Sequence, residues 1–576
     1  MCRHVRRPKL RVQLEVHSLG SDQARRGVGI CLPQVCVGLG WAGSVFSVAL
    51  GFSLTALIDS SQAVEPTAAA VEVDRRLDQE SAAPDQRSPS TSDEVFLRRV
   101  FLDLVGQPPT VDDVLAFCFD TKADKRAKIV EVLLGDEQFG RNWARYWRDV
   151  ILYRRTDERS LIVGGPVETY LTEQLNRNVP WDQLASTFIT ASGNVRERGD
   201  TALIMAQFGK PEDVVSEISR IFMGIQIQCA QCHDHPADSW KREQFHQLAA
   251  FFPRVAVRPQ RNGGERTFLV TVTDRPPRRR RPNNNNRYFG TLEHFMPDLE
   301  HPAQQGTKMQ PVFFVTQQQL AFGSTDDQRR SQLAKWVTAQ ENPWFAKALV
   351  NRVWAELVGE GFYEPVDDLG PERQCSAPQT VDYLSREFVA SGFDLKWLYR
   401  TVIATQAYQR ESRSRRDFDE DPFQANCGQR LRGDQLFDSL VATLDLPERP
   451  ANSRQGQGRR RRTPRIAFNA AFGYDPSQPR EEVKSSIPQA LLLMNSPFIN
   501  QAIDGRRAEG LGGILRKNDD DATALVELYV RTLSRAPSAT EVRTCLSYIR
   551  KTGDRSEAFE DIQWALINST EFLHRR

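Results

Sequence analysis

From Ser92 onward the chain places apolar residues at helical spacing. In "SDEVFLRRVFLDLVG", Val95, Phe96, Val100, Leu102 and Leu104 predict a helix, with Ser92 or Asp93 at its cap. "GQPPT" stops it, and Thr110 caps the next helix, "VDDVLAFCFD". "DKRAKIVEVLLGDEQFGRNWARYWRDVILYR" predicts two helices broken near Gly135. "VETYLTEQLNRNVPWDQLASTFITASG" predicts two more, separated around Asn178, Val179 and Pro180. In "KPEDVVSEISRIFMG", Pro211 suits a first helical turn, Glu212 and Asp213 suit its positive end, and Gly224 ends the pattern. Asp238 or Ser239 is placed to cap a following helix, "WKREQFHQLAAFF", whose Phe245, Leu248, Ala249 and Phe252 form one apolar stripe.

The period changes once. "TFLVTVT" alternates and is β-branched, and "RNGGER" before it is a turn, so a small hairpin is expected, followed by a short strand in "PVFFV". From Asp326 the pattern is helical again, with a split at Asn342 and Pro343. Capping boxes are expected at Ser538–Glu541 and, in a looser form, at Asp554–Glu557. The fold class read from these patterns is mainly α: multi-helix domains with one small β-hairpin insertion. The expected organisation is an export signal or membrane anchor over 1–63 and a linker with one short helix over 64–91. A helical domain over 92–254, the hairpin with an Arg/Asn-rich loop over 255–325, and a second helical domain over 326–576 follow. No solenoid period is present.

The first 63 residues differ from the rest. A basic leader precedes Val28–Ile58, which is almost uncharged, and Ser61-Gln62-Ala63 fits a small-x-small exit. This predicts an exported protein, periplasmic or extracellular, and the apolar run is also long enough to anchor it in a membrane. Lys+Arg number 76 against Asp+Glu 74, a net charge of +2. Two runs of four arginines, Arg278–Arg281 and Arg459–Arg462, lie among Pro, Asn, Gln and Gly without interleaved aromatics. They read as solvated loops, and no nucleic-acid partner is expected.

The chemistry is concentrated in "QIQCAQCHDHPADSW", residues 226–240, in the elbow between two predicted helices. Cys229, Cys232 and His233 have the Cys-x-x-Cys-His spacing of covalent haem attachment. Two thiols reach the vinyl groups on one edge of a porphyrin, and the adjacent histidine faces the iron. The expected cofactor is therefore haem c, in an electron-transfer or redox role. His233, Asp234 and His235 offer a different set, for zinc or iron, in a metal-dependent enzyme. A disulfide between Cys229 and Cys232, in a non-catalytic surface or scaffold protein, is the third reading. Met205, Met223, Met296, Met309, His246 and His294 are available as a sixth haem ligand. Asn351, Arg352, Asp367 and Asp368 stand out as polar residues in an apolar context, with a packing helix and a turn as their plain explanation. No phosphate loop, Ser-His-Asp order or carboxylate pair rises above background.

Together with "FLRRVFLDLVGQPPT", "FGRNWARYWRDVILYR", "NRNVPWDQL" and "GIQIQCAQCHDHPADSW", the chain resembles secreted two-domain proteins of unknown function abundant in planctomycetes. Their first domain is called planctomycete cytochrome-C-like. The second domain resembles the usual C-terminal partner through "LAKWVTAQENPWFAKALVNRVWAELVGEGFYEPVDDLG", "SGFDLKWLYRTVIATQAYQ", "SIPQALLLMNSP" and "LYVRTLSRAPSATE". The resemblance implies no established activity. Many members carry an additional N-terminal cytochrome c domain, and residues 64–91 are too few for one. The family's "CHDHP" is usually followed by Phe, where Ala237 stands here. Partners implied by the resemblance are an unidentified redox partner or a secreted sulfatase-like protein.

Overall fold

The computed structural model describes residues 63–152, 157–262, 265–273, 288, 290–413, 421–446, 464–478 and 486–576. The segment expected to be an export signal, apart from Ala63, and both arginine runs lie outside the described residues. The first docked element is α1 (Pro66–Glu80). This is the stretch expected to be a linker with one short helix. Its Ala69, Ala70, Val73 and Leu77 recur on one face and are buried, and its Glu80 carboxylate accepts the N–H groups of Gln379 and Thr380 at the start of a distant helix.

The predicted helices form where the caps place them. Ser92 caps α2 (Asp93–Val105), and Thr110 makes a capping box with Asp113 at α3 (Val111–Phe119). Helices α4 (Lys125–Leu134) and α5 (Glu137–Leu152) break at Gly135. Helix α6 (Asp157–Asn176) starts well before the expected "VETYL" and runs through Pro166. It packs along α5, and that tertiary contact keeps the proline inside the helix. Helix α7 (Trp181–Thr190) and the short α8 (Ala202–Ala206) lead to α9 (Pro211–Met223), which ends at Gly224 in the left-handed conformation, φ +65°. Helix α10 (Arg242–Ala249) follows the motif.

The hairpin is present. Strands β2 (Val255–Asn262) and β3 (Glu265–Val272) pair antiparallel from Val255–Val272 to Asn262–Glu265, and β1 (Gly193–Asn194) adds to β3. A second small ribbon joins β4 (His294–Met296) to β5 (Thr307–Met309). Helices α11 (Asp326–Val337) and α12 (Pro343–Val358) split at Asn342, which caps α12. The fold is mainly α, with small sheets.

Ser60–Arg576 forms one compact unit, and its described residues build two hydrophobic cores. The larger is built by residues from Ala69 to Phe423 together with Val530. The smaller is built by Leu102 and residues from Leu431 to Phe572. The larger core takes α2–α10 and α11–α12 together, so the motif elbow and residues near position 350 share one interior.

Candidate functional site

The motif begins in a single 3₁₀ turn, Ile227–Gln231. Residues three apart eclipse in such a turn. Ile227 and Ala230 are fully buried, while Cys229 and Cys232, also three apart, are exposed. The alternation of apolar and thiol residues thus orients both cysteines outward. Both are free thiols.

His233 is exposed, and its Nδ1 lies 2.7 Å from the Asp234 carbonyl oxygen. A carbonyl only accepts, so Nδ1 carries the proton and Nε2 presents its lone pair. An imidazole fixed in this way is prepared to ligate a metal through Nε2. His235 is wired the other way. Its Nδ1 accepts the Ala237 N–H at 3.3 Å, which puts the proton of the neutral ring on Nε2. The His235 N–H closes the loop onto the Trp240 carbonyl at 2.8 Å.

Asp234 has a local task. Its carboxylate accepts the Arg242 N–H at 3.0 Å, at the start of α10, and pairs with Lys241 Nζ at 3.0 Å. The Arg242 N–H and then the Lys241 ammonium hold its carboxyl below the usual range. The cap of α10 was expected at Asp238 or Ser239. Instead the helix starts at Arg242, and Asp234 reaches forward across the loop to its first N–H, while Gln244 accepts the Lys241 N–H. Asp238 accepts the Ser239 N–H at 2.7 Å. Ala237 is exposed and fills no core position.

Beneath the turn lies a buried histidine pair. His246 Nε2 donates to the Gln231 carbonyl at 3.1 Å, inside the Cys-x-x-Cys segment. Its Nδ1 is therefore an acceptor, and His294 Nε2 donates to it at 2.9 Å. His294 Nδ1 faces Glu212 at 3.9 Å. Burial pushes His246 down to about 4, against the Gln231 carbonyl, and pushes His294 down to about 3, with His246 adding to the effect. Burial also raises Glu212. Both ring nitrogens of His246 are thus occupied, Nε2 on the turn and Nδ1 on His294. The other sixth-ligand candidates are dispersed. Met205 and Met223 are fully buried in the larger core, Met309 is buried beside His294 in the β4–β5 ribbon, and Met296 is half-buried.

One turn before Gly224, Arg220 sits in a buried charge cluster. It pairs with Glu217 and Asp367, each at 2.6 Å, and donates to Ser477 at 2.9 Å and to the Val150 carbonyl at 2.7 Å. Arg352 meets the same Asp367 oxygen at 2.9 Å. Burial works to raise Asp367, but Arg352 and Arg220 outweigh it and hold the carboxyl at about 2. Asn351 bonds the Tyr363 N–H and the Tyr363 and Val366 carbonyls, each at 3.0 Å. Asp368 pairs with Arg373 at 3.1 Å. These four polar residues form the frame behind the motif. Among the described residues no group of three or more His, Cys, Asp or Glu side chains is arranged to hold a metal ion.

The His246–Gln231 bond and the Arg220–Asp367 pair join residues 15 and 147 positions apart, and no local spacing marks them. Arg220 carried one usable signal, a charge on the apolar side of a helix that otherwise reads as core.

Two family models match in order. PSCyt2, described as a protein of unknown function (DUF1549), matches residues 72–257, and PSD1, a protein of unknown function (DUF1553), matches residues 329–549. No curated protein matches, and no solved structure does. The motif turn belongs to the first module, and Asn351, Arg352, Asp367 and Asp368 belong to the second. The chain is a member of the two-module family in which PSCyt2 precedes PSD1, a family of unknown function.

Proposed function

We propose that this chain is an exported c-type haem protein with an electron-transfer or redox role. Cys229 and Cys232 would carry the porphyrin and His233 would ligate its iron. One observation carries the reading. The two thiols point outward on one side of a 3₁₀ turn, and the next residue is an imidazole whose Nδ1–H is already committed to a carbonyl, leaving Nε2 for a metal. The residues present therefore fit the group. Bound there, haem supplies reversible one-electron chemistry. The chain's own part is to hold the turn: Ile227 and Ala230 anchor it in the core, His246 holds its Gln231 carbonyl, and Asp234 fixes the exit into α10.

The rival metal set of His233, Asp234 and His235 has less support. Asp234 is engaged with α10 and Lys241, and His235 uses Nδ1 as an acceptor. The leader before Ser61-Gln62-Ala63 supports export, where haem attachment of this kind takes place, and an exposed motif is open to a redox partner. Among the described residues no helix is long and apolar enough to cross a membrane, and the apolar Val28–Ile58 segment lies outside them.

The test is a haem stain of the denatured protein, expressed with a cytochrome c maturation system, together with an absorption spectrum after reduction. Covalent haem that disappears in Cys229→Ser and Cys232→Ser supports the reading, and a protein without covalent haem overturns it. Metal analysis of the wild type and of His235→Ala tests the rival. Bound zinc or iron that is lost in His235→Ala would replace haem by a metal centre.

A further inference from the structure

Gly224 and Asp238 bracket the motif, and both rest on one short segment of the other module. At the first end, the Leu369 N–H donates to the Gly224 carbonyl at 2.6 Å. A Cβ on Gly224 would lie 2.8 Å from Leu369 Cδ1 and 3.3 Å from Ala348 Cβ, and the φ of +65° independently favours glycine there. At the second end, a Cβ on Gly370 would lie 1.8 Å from Asp238 Oδ2 and 2.9 Å from Asp238 Cγ. Glycine is what lets the segment pass this close to the motif loop. The Asp238 carboxylate is held there by the Ser239 N–H, which its Oδ1 accepts at 2.7 Å, so a Cβ on Gly370 would have to displace the carboxylate and break that bond.

The segment is itself held rigidly. Asp367 is tied to Arg220 and Arg352, so the buried ion pair links the helix entering the motif to the residues lying against it. Asn351 pins the chain just before, through the Tyr363 and Val366 carbonyls. Leu369 is buried in the larger core.

We propose that Asp367–Gly370 of the PSD1 module is a positioning strap for the Cys-x-x-Cys-His turn, so that the two family modules build one site. The strap touches both ends of the motif loop and contributes no ligand. Its role is to fix where the loop starts and how it returns, and through these the disposition of Cys229, Cys232 and His233. The inference rests on reading that turn as the functional site, and its test does not need haem.

The experiment is a double-mutant cycle at positions 370 and 238 in the full chain, with the cysteines reduced. Gly370→Ala is expected to speed amide hydrogen exchange across residues 225–240 by about fivefold, without a comparable change in the core helices. The thiol–disulfide equilibrium of Cys229 and Cys232 in a glutathione buffer should move with it by a similar factor. Adding Asp238→Ala to Gly370→Ala removes the colliding carboxylate, and both readouts should return toward the values of Asp238→Ala alone. Additive effects, or a Gly370→Ala protein with wild-type exchange and equilibrium, overturn the strap. If Gly370→Ala does not fold, recovery of folding in the double variant supports the strap, and failure of the double variant overturns it. A missing haem stain in the wild type would overturn the haem reading and leave this result standing.

Discussion

Arg220 and Cys232 belong to the same short stretch of chain, yet they meet opposite environments. Arg220 is buried and has four polar partners, drawn from α5, from its own helix and from the second module. Cys232 is exposed, next to a turn whose Gln231 carbonyl accepts a bond from His246 and whose Ile227 and Ala230 are buried. The buried cluster consists of charges that are tolerable only because each has a partner. The exposed turn keeps its thiols and His233 accessible, which a binding site needs. The candidate site thus sits on an exposed turn, immediately beside a buried network of paired charges.

The sharpest way to break the contrast is Asp367→Ala. It leaves Arg220 and Arg352 buried without their shared carboxylate, and should cost about 3–5 kcal/mol in a urea unfolding experiment. An effect under about 1 kcal/mol would mean that the cluster is solvated and that the two regions do not differ as described.

The histidine pair lies between the two regimes, and pH resolves its contribution. Both rings are depressed in the folded protein relative to about 6.5 in the unfolded chain. Between about pH 6.5 and about pH 3 the unfolded chain binds protons that the folded pair refuses. Stability should therefore fall as pH falls through that window, by up to about 1.4 kcal/mol per pH unit for each histidine. His294→Leu should give a shallower profile, read as the denaturant midpoint against pH. An unchanged slope would show that His294 does not titrate in this window.

On the exposed side the effects on stability should nearly vanish. Cys229→Ser and Cys232→Ser should each stay within about 0.5 kcal/mol of the wild type in the haem-free protein, and the variant carrying both substitutions should lose the haem stain. A large loss of stability would move the cysteines from function into structure. Asp234→Ala should give the smallest signal, a slight lowering of the thermal midpoint from the weakened start of α10, with the cofactor content unchanged. Loss of cofactor in that variant would restore Asp234 to the ligand set.

The helix ends show how far local reading reaches. Ser92, Thr110 and Asn342 cap their helices through bonds that span only two or three residues, and Gly224 ends α9 through its own φ. These are settled by neighbours along the chain, so they are legible from the order of residues. The hairpin is legible for the same reason, its turn and its alternation lying in one stretch. Pro166 shows where that reach ends. It argues locally for a break, and packing of α6 along α5 overrides it.

The site divides along the same line. The Cys-x-x-Cys-His spacing of Cys229, Cys232 and His233, and its place in an elbow between two helices, are legible in the sequence, whereas the 3₁₀ turn that faces both cysteines outward and buries Ile227 and Ala230 appears only in the fold. That Asp234 serves α10, that His246 and His294 hold Gln231, and that Asp367–Gly370 underlies the motif from the other module depended on the folded chain. These contacts join residues far apart in sequence, or reach across a loop whose path is set by its two ends. Spacing carries no record of such pairings, because they arise only when the larger core folds and fixes the path of the chain around the motif.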